Sequence, residues 1–105
     1  MVENNTSTLS LSTKQLIYGS ALDKEAFFNW LKNIEAVDDF HGTGQTLFIK
    51  LKTKRLDDQS LRELLALFTR YDVQVGLSQL AQFLTTENEN WFKDPEKYWH
   101  SKVFP

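Results

Sequence analysis

Apolar positions along the chain change period several times, and each change marks an element. Over residues 22–34, Phe27, Trp30, Leu31 and Ile34 recur at the three-and-four spacing that builds one face of an amphipathic helix. Asp23 as its N-cap would set Leu22 against Phe27 in a hydrophobic staple. Residues 56–71 repeat the logic: Asp57 caps, Leu56 faces Leu61, and Leu61, Leu64, Leu65, Phe68 and Tyr71 continue one stripe. Between these helices the period drops to two. Leu47, Ile49 and Leu51 point one way and Thr46, Phe48, Lys50 and Lys52 the other, as in a strand with one wet face. Residues 36–41 read as its hairpin partner across Gly42-Thr43-Gly44, where glycine permits a loop with a bulge.

Shorter segments complete the pattern. The apolar run over residues 14–18, stopped by Gly19-Ser20, predicts a first strand, and residues 1–13, rich in Ser, Thr and Asn, predict a flexible leader. The weak Leu9/Leu11 alternation would extend that strand backwards. Val73 and Val75 alternate with polar neighbours, as in a fourth strand or an extended turn. Leu77, Leu80, Ala81 and Leu84 have helical spacing. Thr86 and Glu89 match a capping box, and Asp94-Pro95 would open a terminal helix to about Lys102.

The order strand, helix, strand, strand, helix predicts an α+β fold, with two helices on one face of a small antiparallel sheet and short C-terminal helices added. This is βαββα, or βαββαβ if residues 73–75 form a strand, the ferredoxin-like plait. Residues 14–105 are expected to form one domain.

Composition narrows the function classes. The 105 residues contain no cysteine, which removes disulfides and thiolate metal sites. No apolar run is long enough to span a membrane and no signal peptide opens the chain, so a cytoplasmic location is expected and a membrane partner is not. With 12 basic and 14 acidic residues the net charge is −2, which offers nucleic acid no global attraction.

Candidate chemistry is sparse. Asp39 and His41 share a strand face, but a metal or acid/base site would need a third ligand from a distant carboxylate or from His100. No nucleophile elbow, phosphate loop or paired-carboxylate motif is present, so neither an enzyme nor a cofactor is expected. A nucleic-acid surface is the alternative: Phe48, with Tyr18 as its one companion, would stack a base while Lys50, Lys52, Lys54 and Arg55 reach phosphates. A strand face with solvated lysines explains the same row. Two of the three tryptophans lie in the final fifteen residues, and aromatic side chains dominate interface energetics. The main expectation is therefore a non-catalytic binding protein that engages a protein partner or a second copy of itself. Tyr98, Trp99, His100 and Phe104 would form the contact, with Trp91 and Phe92 anchoring the segment.

Overall fold

The computed structural model describes residues 7–12, 16, 18–53 and 55–104. Its sheet has three strands, β1 (Ser7–Ser12), β2 (Val37–Thr43) and β3 (Thr46–Leu51), antiparallel and in the order β1-β3-β2. The first strand thus lies inside the expected leader. Leu9 and Leu11, both fully buried, stand opposite Ile49 and Leu47, while Thr8 and Ser10 face out. Two leucines at alternate positions suffice here because only one sheet face must be apolar. Residues 1–6 and 13 lie outside the described residues. So do Lys14, Gln15 and Ile17 of the strand expected at 14–18; Leu16 is buried and Tyr18 half-buried, and neither is in a strand.

The β2–β3 hairpin closes through Gly44–Gln45, flanked by the pair Thr43 and Thr46. Gly44 has φ +60°, which fits the first position of a type II′ turn. The bulge expected at this turn lies at the other end of β2, between Val37 and Asp39, where Asp38 is the extra residue. Asp38 lies 3.6 Å from Lys50 of the central strand.

Helix α1 (Ala21–Lys32) begins earlier than its apolar stripe suggests. Ser20 is the N-cap, accepting from the Asp23 N–H, and the Asp23 carboxylate accepts from the Gly19 N–H. This reciprocal pair replaces the expected staple, and Leu22 is left 76% exposed. Helix α2 (Asp58–Arg70) starts as read, with the Asp57 carboxylate accepting from the Ser60 N–H and both Leu56 and Leu61 buried. It ends in a Schellman closure: Asp72 takes φ 55° and donates to the Thr69 carbonyl, and Val73 donates to Phe68.

That reversal leads straight into α3 (Gln74–Leu80), so residues 73–75 form no strand and the βαββαβ variant does not hold. Val73, Gly76, Leu77 and Leu80 are all buried, which is helical spacing. Gly76 permits the close approach of α3: a Cβ there would sit 2.8 Å from Phe68 ring carbons and 3.1 Å from Leu11 Cδ2. Instead of a fourth strand beside β1, a single side chain bonds the middle of that edge. Gln79 accepts from the Ser10 N–H at 3.1 Å and donates to the Ser10 carbonyl at 2.7 Å. A 3-10 turn (Ala81–Phe83), α4 (Glu89–Phe92) and α5 (His100–Val103) follow. The expected helix from Asp94 to Lys102 is mostly turns, helical from His100 onward.

The helical layer covers the face that carries Leu9, Leu11, Leu47, Ile49 and Leu51. Trp30 donates to Glu63 at 2.9 Å and ties α1 to α2. No helix among the described residues is long and apolar enough to cross a membrane.

Candidate interaction surface

The C-terminal segment is fastened by a polar side chain that the core encloses completely. Asn88 is 0% exposed. Its amide nitrogen donates to the Leu56 carbonyl at 2.8 Å, and its Oδ1 accepts from the Thr85 N–H. Thr85 Oγ1 in turn accepts from the Asn88 N–H. This is a capping box one residue before the one expected at Thr86 and Glu89, with asparagine in the usual glutamate's place. A Thr-x-x-Asn spacing was its signal. Glu89 instead pairs with Lys93 at 2.7 Å, and that hydrogen bond, with the ammonium charge, holds its carboxyl below the ordinary range. Because the Leu56 N–H donates to Phe83, the entrance to α2 is tied to the C-terminal third from both directions.

From this anchor the aromatic residues sort themselves by depth. Phe92 is fully buried, as expected of an anchor. Trp99, read from sequence as a partner contact, is 4% exposed and belongs to the core. Its indole N–H donates to the Phe92 carbonyl at 2.8 Å, so burial leaves no polar atom wanting. Trp91 is half-buried. Its ring meets Trp99 edge-on at 5.7 Å, and the Arg62 guanidinium of α2 lies 4.1 Å from its centroid. Its indole N–H is buried without an acceptor among the described residues. Phe104 and His100 are half-buried, 5.1 Å apart by ring centroids, with Phe104 edge-on to Phe92. Tyr98 stays out: it is 59% exposed, its ring set edge-on at 4.8 Å to buried Trp99. Arg62, Trp91, Trp99 and Tyr98 therefore form a continuous row from α2 to the surface. The part played by Arg62 was invisible in sequence, because nothing local links α2 to Trp91.

Of the residues of the nucleic-acid alternative, the open sheet face holds Phe48 and Lys50. Phe48 is half-buried and stacked on His41 at 5.2 Å. Lys50 shares its face and sits beside Asp38. Lys52 and Arg55 are exposed beyond the end of β3, and together line a cleft of about 250 Å³ with Glu35 and Asp57. Lys54 lies outside the described residues. Tyr18 is not on this face; it packs on Phe27, Phe28 and Tyr71. Another cleft, about 310 Å³, opens between α1 and α2 beside Trp30, Glu35 and Glu63. No three metal-ligating side chains converge among the described residues. His41 and His100 lie on different elements, one on Phe48 and one on Phe104.

A second aromatic cluster surrounds the start of α1. The Tyr71 hydroxyl donates to the Asp23 carboxylate at 2.9 Å. The Gly19 N–H, and then this phenol, hold the Asp23 carboxyl below its usual value. Burial, and then the hydrogen bond to Asp23, push Tyr71 up; burial, and then the neighbours Tyr71 and Asp23, do the same to Tyr18. All three shifts move away from neutral pH. They stabilise the carboxylate and the neutral phenols, an arrangement suited to architecture rather than to proton transfer. Neither family models, nor curated proteins, nor solved structures show a match to this chain.

Proposed function

We propose that the protein is a non-catalytic binding protein that engages a protein partner through the aromatic surface centred on Tyr98. The supporting observation is the contrast at that residue: an exposed ring seated on a fully packed one, in a C-terminal segment where Phe92 and Trp99 are buried. A phenol held on buried Trp99 loses little freedom when a partner covers it. Tyrosine, tryptophan and arginine are the residue types that concentrate interface energy, and Trp91 with Arg62 extends the surface in that chemistry. His100 and Phe104 form its half-buried margin. Trp99 supports the site from beneath. The nucleic-acid alternative has less support, since Asp38 offsets Lys50 and His41 covers part of the Phe48 ring.

A photo-reactive amino acid placed at position 98, compared with one at Leu22, tests this reading in cells. Leu22 is even more exposed but isolated at the start of α1, so it controls for exposure alone. A discrete cross-linked product from position 98 and none from position 22 is expected. Equal yields from both sites would remove the proposal.

A further inference from the structure

The two edges of the sheet are treated differently. In a two-residue hairpin the residues flanking the loop, here Thr43 and Thr46, exchange both main-chain bonds. Alternation then pairs His41 with Phe48 and turns the main chain of Phe40 and Gly42 away from β3. Across the sheet, the same alternation turns Ser10 outward from β1. Ser10 is the residue whose N–H and carbonyl are both taken by Gln79. The middle of the β1 edge is therefore occupied, at Ser10. Among the described residues, no main-chain group bonds Phe40 or Gly42 across the edge of β2. Strand β2 carries neither lysine nor proline, and its edge-guarding features, two aspartates and the bulge at Asp38, lie at one end and leave residues 40–43 clear.

We propose that a second copy of this chain docks on the edge of β2, joining the two sheets into one antiparallel sheet about a two-fold axis at His41. The edge is self-complementary in that register. Phe40 of one copy stands opposite Gly42 of the other, and the outward donors and acceptors of both residues all find partners. A register centred on Phe40 would set Gly42 against the Asp38 bulge, and one centred on Gly42 would set Phe40 against the Gly44 turn, so each loses half of those bonds. Charge agrees with the same register. Asp39 falls opposite Thr43 and Asp38 opposite Gly44, so no acidic side chains oppose each other across the axis. The wet faces run on continuously, with the Phe48–His41 stack of each copy meeting its equivalent at the centre. The partner is a second copy rather than an unrelated extended peptide because the bonding pattern, the bulge and the charges satisfy one symmetric register. This surface is separate from Tyr98, so Tyr98→Ala leaves the dimer intact, and its failure would not affect the function proposed above.

Light scattering and sedimentation across concentrations up to ~1 mM should show the mass rising from one chain to two, within the weak range of small interfaces. Thr43 is exposed, and substitutions there change charge at the register without disturbing the core. Thr43→Lys would place an ammonium opposite Asp39 on both sides of the axis and tighten the dimer about fivefold; Thr43→Asp would weaken it by a similar factor. Amide exchange at Phe40 and Gly42 should slow as wild-type concentration rises. A monomer at every concentration, a dimer indifferent to both substitutions, or exchange at these amides independent of concentration would each overturn the proposal.

Discussion

The protein has two aromatic clusters, finished in different ways. Around the start of α1, Tyr18, Phe27, Phe28 and Tyr71 pack edge against face, and the Tyr71 hydroxyl ends in a hydrogen bond to Asp23. At the C-terminus, Phe92 and Trp99 are buried more deeply than Tyr18, Phe28 or Tyr71, but the Trp91 N–H has no described acceptor and Tyr98 stands in solvent. Aromatic content alone therefore does not separate architecture from interface. The two clusters differ instead in their polar tips and outer rings, and the proposed binding role rests on that difference.

The comparison can be broken most severely by removing the C-terminal cluster. Ending the chain before Asn90 deletes Phe92, Trp99 and Val103 from the core. Truncating one buried aromatic costs about 3–5 kcal/mol, so loss of a cooperative thermal transition is expected. An unchanged melting temperature would show that the segment is an appendage. Next in size is Asn88→Ala, which leaves the Leu56 carbonyl and the Thr85 N–H without their partner. A loss of about 2–3 kcal/mol in urea unfolding is expected, with the N-terminal cluster intact by near-ultraviolet dichroism.

Tyr71→Phe probes the other cluster with a smaller effect, visible mainly in its pH dependence. The lowered Asp23 pKa means that its contribution is present above the ordinary carboxylate value of about 4 and is lost as pH falls through the folded value. Removing the phenol raises Asp23 toward that ordinary value, so the acid limb of the stability curve should flatten. The raised Tyr71 pKa acts oppositely: its contribution is full below about 10 and is lost as pH rises through the folded value. The variant should lose that alkaline decline as well. Melting curves that superimpose on wild type at both extremes would show that the Tyr71–Asp23 bond has no weight.

Long, strongly periodic elements were legible in the sequence. The apolar stripes of both main helices, the alternation of β3 and the Asp57 cap all appear in the structure because each depends on neighbours within a few residues. Other features were misread where one local signal masked another. Asp23 resembles a cap, yet Ser20 three residues earlier supplies the cap and Asp23 completes the reciprocal pair. Val73 and Val75 alternate as a strand does, but the αL residue Asp72 redirects the chain, and Val73, Gly76, Leu77 and Leu80 bury a helical face instead. In the leader, the Leu9/Leu11 alternation read only as a weak extension of a strand at 14–18, because serine and threonine surround it, yet both leucines meet β3. The C-terminal surface was only partly readable. Its helix starts announced a folded segment, but whether Tyr98 or Trp99 turned inward depended on the Phe92 carbonyl, and Arg62 reached Trp91 from a distant helix.

The Gln79 clasp on Ser10 also bears on the order in which the chain is made. The two residues are 69 positions apart. At ribosomal rates of roughly 5–20 residues per second, β1 emerges several seconds before the side chain that clasps its middle. During that interval a nascent strand with buried-type leucines presents an unpaired edge, the condition that invites association between neighbouring chains on a polysome. Slowing synthesis between β3 and α3 would prolong it.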